Sequence, residues 1–156
     1  MKHLKNVLLL AIPTAVCAAA GSVVTALNKD YPETLRLPSF YPPSWLFAVV
    51  WTAIFILTVI SGTVALSSAS DRREREDTLF IYNIQLIFNL IWSVCFFGLK
   101  MPWLAFAEII LLIATVAVMA LRYGKITKLS GILLIPYILW ALFAAFFLNL
   151  PIAIMN

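Results

Sequence analysis

The chain has 156 residues, of which 63% are hydrophobic and 12% are charged, with a formal net charge of +4. That composition lies outside the range of soluble globular domains, and no polar stretch is long enough to form a separate soluble domain. The positive charge does not indicate a nucleic-acid partner, because the basic residues lie in short connections between apolar runs. The sequence therefore predicts one membrane domain over residues 1–156.

Five apolar runs follow one another along the chain and predict helices over residues 6–27, 45–66, 79–99, 102–121 and 129–154. Each run is long enough to cross a hydrocarbon core of roughly 30 Å at about 1.5 Å rise per residue. Because lipid offers no hydrogen-bond partner to the backbone, runs of this length must be helical. We expect an all-α integral membrane protein, a five-transmembrane-helix bundle in a lipid bilayer.

The basic residues are unevenly divided between the two ends of such a bundle. The end that carries the N-terminus holds Lys2, Lys5, Arg72, Arg73, Arg75, Arg122, Lys125 and Lys128, whereas the other holds Lys29, Arg36 and Lys100. Cytoplasmic connections of membrane proteins are enriched in Lys and Arg. This bias predicts a cytoplasmic N-terminus.

Two of the connections have distinctive compositions. Residues 28–44, here called loop one, carry Tyr31, Phe40 and Tyr41 among four prolines, which suits either a stiff cap over a pocket or an interfacial anchor. The connection over residues 67–78 contains the charge run 71–77 and is expected to form a solvated turn at headgroup level. A cytoplasmic docking site for other proteins is the alternative for that run.

Aromatic and amide side chains recur at helical spacing in three of the predicted spans. The three stripes are Phe47, Trp51, Phe55 and Thr58; Gln85, Asn89, Trp92 and Phe96; and Tyr137, Trp140, Ala144 and Phe147. Each stripe lies on one helical face, where it either bridges helices or lines a cavity for a flat hydrophobic ligand. Pro136, just before the third stripe, is expected to kink its helix.

Glu108 is the one charged residue inside the predicted spans. A carboxylate at this depth is costly, so it serves either as a proton relay or cation site, or as a neutral acid bonded to a neighbouring helix. The single histidine, His3, stands before the first span, and no phosphate loop or nucleophile elbow is present. We therefore expect no metal site and no required cofactor.

The motifs of loop one and of the third and fifth spans resemble those of the translocator protein family, also called tryptophan-rich sensory proteins or peripheral-type benzodiazepine receptors. The matching segments cover most of the chain and are Pro38-Ser39-Phe40-Tyr41-Pro42-Pro43; Trp51; Gln85-Leu86, Asn89, Trp92 and Phe96-Phe97-Gly98; and Pro136-Tyr137, Trp140, Ala144 and Leu148-Asn149. The sequence departs from the family pattern at Phe40, where a tryptophan is usual, and at Pro32, which replaces an aromatic residue. It also lacks the sterol-recognition segment of animal members.

The resemblance implies a bundle, often homodimeric, that binds protoporphyrin IX, haem and synthetic aromatic ligands beneath loop one, in a bacterial cell membrane. By carry-over, the pocket includes Pro42, Trp51, Phe55, Asn89, Trp92, Trp140, Ala144 and Phe147; the stripes and loop one add Tyr31, Phe47, Gln85 and Tyr137. Light-dependent porphyrin breakdown, reported for some bacterial members, is assigned by resemblance to Trp51 and Trp140. The alternative function is transport of a porphyrin or another lipophile, with Glu108 coupled to protons.

Overall fold

The computed structural model describes residues 2–156 and consists of helices joined by short connections. The helices are α1 (Lys2–Leu27), α2 (Ser44–Ser68), α3 (Arg72–Ser93), α4 (Pro102–Ile126), α5 (Lys128–Ile132), α6 (Ile135–Phe143) and α7 (Leu150–Met155). The last three are consecutive parts of the fifth span, Lys128–Met155, and five helices in the described chain are long and apolar enough to cross a membrane. The predicted all-α membrane bundle is confirmed.

The fifth span is interrupted just before Pro136, the residue predicted to kink it. A break at residues 133–134 separates α5 from α6, and Pro136 lies in the first turn of α6, where its missing N–H leaves no helical bond unmade. Wider π-helical turns follow at Ala144–Asn149 and, in the third span, at Val94–Gly98. Each π turn shifts the facing of the residues after it relative to a regular helix.

The charge run at residues 71–77 is mostly exposed, as predicted, but the prediction that it forms a turn is wrong, because it supplies the cap and the first turns of α3. Asp71 caps α3 by accepting a hydrogen bond from the Glu74 backbone N–H at 2.8 Å, and the Glu74 carboxylate accepts one from the Ser70 N–H at 2.6 Å. The first bond satisfies an N–H group of the first turn, and the second ties the residue before the cap to the helix. The helix therefore begins seven residues earlier than its apolar part.

Helix α3 bonds to every other span through its buried face. Near its N-terminus, Arg75 donates to the Leu66 carbonyl oxygen at 2.8 Å and to Asn6 Oδ1 at 3.1 Å. Further along are contacts with α1 and α4, namely Tyr82 Oη with Thr14 Oγ1 at 2.6 Å, Cys17 Sγ to Leu86 O at 3.3 Å, and Tyr123 Oη to Thr78 O at 2.9 Å. Such bonds fix helix orientation in lipid, where apolar burial alone does not.

Loop one covers the end of the bundle formed by the last turn of the third span, the start of α4 and α7. Its half-buried side chains Tyr31, Leu35, Leu37 and Tyr41 pack against a buried cluster that includes Phe96, Ala105 and Ile152. The side-chain amide of Asn156 accepts a bond from the Arg36 N–H at 2.8 Å and donates one to the Arg36 carbonyl oxygen at 3.1 Å. Loop one therefore covers this end of the bundle as a cap would, but it covers packed side chains and not a pocket, and Phe40 stays exposed.

Candidate ligand-binding site

Three polar side chains predicted to lie in the site meet in the centre of the bundle. The Tyr137 hydroxyl donates to Gln85 Oε1 at 2.9 Å and accepts from Asn89 Nδ2 at 3.0 Å. All three residues are buried, and their bonds join α3 to α6. Two amides one turn apart on α3 therefore bond the same hydroxyl group on the fifth span. Polar side chains in a membrane need such partners on other helices, because lipid offers none.

Aromatic rings from α2 and α6 interlock on one side of this polar group. The Trp51 ring meets Tyr137 edge-on with centroids 5.8 Å apart and lies against Phe55 at 5.7 Å. The Phe47 ring meets Trp140 edge-on at 5.7 Å. These are favourable aromatic geometries, so the predicted stripes of α2 and the fifth span do face one another.

Trp92 is anchored by Asn149, which was not predicted to lie in the site. Its indole N–H donates to Asn149 Oδ1 at 3.0 Å, and Asn149 Nδ2 donates to the Pro102 carbonyl oxygen at 2.9 Å. The Trp92 ring also stacks on Phe96 with centroids 5.3 Å apart. An asparagine inside an apolar span was the available signal, because such an amide needs partners in the bundle.

The remaining predicted residues do not all lie beside Tyr137 and Trp140. Tyr31 packs edge-on against Phe96 at 5.9 Å within the loop-one layer, and Pro42 is buried in the same loop. Ala144 is buried near Tyr137. Phe147 is not with the others: it is 56% exposed and stacks on Phe143 at 5.7 Å on the outer face of the bundle.

An apolar groove of about 470 Å³ runs between α2 and α6 and opens to the outside of the bundle. It is lined by Val49, Val50, Ala53, Ile54, Leu57, Pro136, Leu139, Trp140 and Phe143. Trp140 thus stands between the groove and the interlocked rings, and its indole N–H is buried without a hydrogen-bond partner among the described residues. The groove differs from the enclosed chamber expected from the stripes, because the rings of Trp51, Phe55 and Tyr137 contact one another in the interior.

Two further buried polar groups lack partners. Gln85 Nε2 and both carboxyl oxygens of Glu108 make no hydrogen bond with any residue described by the structure. Glu108 lies on the buried face of α4, which it shares with Ala105 and Ile109. The interpretation of Glu108 as an acid bonded to a neighbouring helix is therefore not supported by its contacts.

The comparisons with known proteins agree with these motifs. A model described as the TspO/MBR family matches residues 9–154. The chain belongs to the TspO/MBR family. It is 35% identical to the tryptophan-rich protein TspO of Chlorobaculum tepidum over 97% of this chain and 98% of that one.

More distant members of the TspO/MBR family match over slightly shorter segments. The chain is 30% identical to the tryptophan-rich sensory protein of Cereibacter sphaeroides, covering 81% of this chain and 78% of the relative. It is 27% identical to the translocator protein of Ovis aries, covering 72% and 67% respectively. The protein is accordingly a multi-pass integral membrane protein with bacterial relatives.

Proposed function

We propose that this protein is a membrane receptor or sensor that binds tetrapyrroles, protoporphyrin IX or haem, and other flat aromatic ligands. The observation that carries the proposal is the position of Trp140. Its ring forms part of the wall of an apolar groove of about 470 Å³, and its N–H is buried without a protein partner. A buried donor without an acceptor is costly, and an acceptor on a ligand would remove that cost if the Trp140 ring turned its N–H toward the groove.

The groove has the size and lining that a hydrophobic ring system requires. Ligand pockets commonly enclose about 300–1,000 Å³ and combine apolar walls with a few polar groups. The exposed side chains Val49 and Leu139 border the groove on the lipid side, so a lipophilic ligand reaches it from the bilayer. The Phe47 ring packs against Trp140 and would give a further stacking surface if the two rings separated.

The chemistry of the lining favours recognition of the ring plane over recognition of a central metal. The single histidine of the sequence, His3, is hydrogen-bonded to Ser67 at 3.1 Å at the far end of the bundle from loop one. The side chains that line the groove belong to Val, Ala, Ile, Leu, Pro, Trp and Phe residues, none of which binds iron. Haem would therefore bind through the macrocycle and its carboxylates.

Titration of the purified protein with protoporphyrin IX, zinc protoporphyrin and haem tests the proposal. We expect saturable quenching of tryptophan fluorescence by all three, with dissociation constants that agree within about threefold, roughly 0.7 kcal/mol. Quenching that rises without saturation would contradict specific binding. Tight binding of haem alone would contradict recognition of the ring plane.

The proposal extends to light-dependent breakdown of bound porphyrin, in which dioxygen is the oxidant and the macrocycle is oxidised. Its support is the proximity of two indoles, Trp51 and Trp140, to the ligand position proposed here. Trp51 contacts Tyr137 and Phe55, whereas Trp140 contacts Phe47 and Phe143. The two indoles thus belong to separate sets of rings, but both pack against the same buried core cluster.

A second proposed function is transport of a porphyrin or another lipophile, and the unpartnered carboxyl of Glu108 favours it. A buried acid with no bonded partner is suited to take up and release a proton during a transport cycle. If this is correct, Glu108→Gln should reduce proton-driven uptake of protoporphyrin into sealed vesicles while leaving equilibrium binding unchanged. Equal uptake by the wild type and Glu108→Gln would count against proton coupling.

We also propose a cytoplasmic N-terminus and a homodimer. Labelling of intact cells with a membrane-impermeant maleimide should modify Ser39→Cys but not Ser70→Cys, since both positions are exposed and lie at opposite ends of the bundle. The reverse pattern would invert the topology. Small residues one turn apart let two helices approach closely in a membrane. Ala15 and Ala19 on the outward face of α1 form such a pair for the dimer, whereas Ala141 and Ala145 on the fifth span are fully buried and cannot contact a second copy.

A further inference from the structure

A second cavity lies at the opposite end of the bundle from loop one, between the start of α3 and the end of α4. It has a volume of about 280 Å³ and is lined in part by Glu74, Asp77, Arg122 and Lys125. The apolar part of α4 ends at Leu121 and that of α3 begins at Leu79, so these charged residues stand where the chain leaves the hydrocarbon layer. The cavity is therefore at the level of the lipid headgroups.

The two walls of this cavity carry opposite charges. Glu74 and Asp77 are one turn apart on α3, and Arg122 and Lys125 are one turn apart on α4, so each pair shares a helical face. No ion pair closes the space between the walls, since the salt bridge found among the described residues joins Arg72 to Glu76 elsewhere on α3. Glu74 uses one carboxyl oxygen, Oε2, to accept from Ser70, so its Oε1 and the Asp77 carboxylate are the acidic groups left to a ligand.

The floor of the cavity is rigid and polar. Tyr123 is fully buried there, and its hydroxyl donates to the Thr78 carbonyl oxygen at 2.9 Å, which fixes the separation of the two helices. Ile81 and Ile126 complete the lining and offer apolar contact on the side of the bilayer. A ligand that fits these features has an anionic group, a hydrogen-bonding cationic group a few ångströms away, and an apolar continuation.

We propose that this cavity is a binding site for the phosphate-and-ammonium headgroup of an aminophospholipid such as phosphatidylethanolamine. The phosphate pairs with Arg122 and Lys125, and the primary ammonium donates to the carboxylates of Glu74 and Asp77. A phosphatidylglycerol headgroup leaves the acidic wall without a cation. A phosphatidylcholine headgroup has a quaternary ammonium with no N–H to donate.

The test is native mass spectrometry of the full-length protein equilibrated with phosphatidylethanolamine, phosphatidylcholine and phosphatidylglycerol of identical acyl chains. We expect phosphatidylethanolamine to be retained about tenfold more than either competitor, as the loss of one charge-assisted hydrogen bond from the ammonium to a carboxylate predicts. Equal retention of the three lipids by the wild type would overturn the proposal.

Two variants test the basic wall and the acidic wall of the cavity separately. Arg122→Gln should lower retention of phosphatidylethanolamine about fivefold, and Arg122→Lys should restore most of it. Asp77→Asn should lower the preference for phosphatidylethanolamine over phosphatidylglycerol without weakening phosphatidylglycerol itself, a change of selectivity that partial unfolding does not produce. Arg73→Gln is the matched control, because Arg73 is exposed on α3 and does not line the cavity.

Competition with a soluble headgroup analogue shows whether the cavity binds a lipid or a soluble metabolite. Phosphoethanolamine at the same concentration should displace little lipid, since it lacks the apolar continuation that contacts Ile81 and Ile126. Full displacement by phosphoethanolamine would assign the cavity to a soluble metabolite and would overturn the lipid proposal, as would an unchanged lipid ratio in both Arg122→Gln and Asp77→Asn.

Discussion

Trp140→Ala should weaken protoporphyrin binding about thirtyfold, or about 2 kcal/mol, the scale expected when a large apolar ring no longer contacts a ligand. Trp140 contributes both a wall of the groove between α2 and α6 and a buried N–H without a protein partner. The substitution therefore removes a stacking surface and a donor together. The measurement is the dissociation constant from fluorescence or absorbance titration.

The matched control is Trp103→Ala, which removes the same side chain from an exposed position on α4. Trp103 packs edge-on against Phe106 and does not line the groove, so its loss should leave the dissociation constant within about twofold, under 0.5 kcal/mol. Similar weakening in both variants would place the ligand elsewhere or indicate a nonspecific effect on the bundle.

Illumination of the same complexes in air distinguishes binding from photochemistry. The double variant Trp51→Phe, Trp140→Phe keeps an aromatic ring at both positions but has no indole to exchange electrons with an excited macrocycle. We expect it to retain bound protoporphyrin while losing most of the protein-dependent porphyrin breakdown. Breakdown at the wild-type rate with the ligand bound would remove the proposed role of the indoles.

Gly131→Ala should destabilise the protein on the order of 2 kcal/mol, because α5 approaches α4 backbone to backbone at this residue. A Cβ atom on Gly131 would lie 2.8 Å from the Ala120 carbonyl oxygen and 2.8 Å from the Gly124 Cα. Backbone atoms of a packed helix cannot rotate away as a side chain can. Around this contact, Ser61 Oγ donates to the Ser130 carbonyl oxygen at 2.6 Å, so α5 is held in place by α2 as well.

Gly124→Ala is the control for this prediction, since it adds the same methyl group to the facing helix. A Cβ atom there would lie 3.8 Å from the Gly131 Cα, an ordinary contact, and alanine favours the helix by up to about 1 kcal/mol. Thermal unfolding of both variants in detergent should show a lower midpoint for Gly131→Ala alone. Equal midpoints would mean that α4 and α5 separate without loss of stability.

The number and order of the spans could be predicted from sequence, because only continuous apolar runs satisfy a hydrocarbon solvent. The start of α3 could not be predicted from apolarity, since its first turns lie at the surface and are charged. The signal for that start was nonetheless present in the spacing of Asp71 and Glu74, which now form the cap.

The helical faces that form the site could be predicted from the sequence, but the side-chain contacts between those faces could not. Gln85 and Asn89 had to find partners on another helix, yet the sequence did not identify the Tyr137 hydroxyl as the shared one. Phe147 was misplaced because a spacing of seven from Trp140 assumes a regular helix. The π turn at Ala144–Asn149 shifts the facing, leaving Phe147 outside and burying Asn149.

The bonds that α3 makes with helices both before and after it in the chain have a consequence for biosynthesis. When the third span leaves the ribosome, its partners Thr14 and Cys17 have already been synthesised. Tyr137 has not, because it lies 48 residues after Asn89 and 52 residues after Gln85. During that interval Gln85 and Asn89 lack the hydroxyl group that they bond in the folded protein, and an amide without a partner is costly in lipid. The nascent protein therefore becomes a committed bundle only after translation has delivered α6, and premature termination before Ile135 should yield a fragment that quality-control proteases recognise.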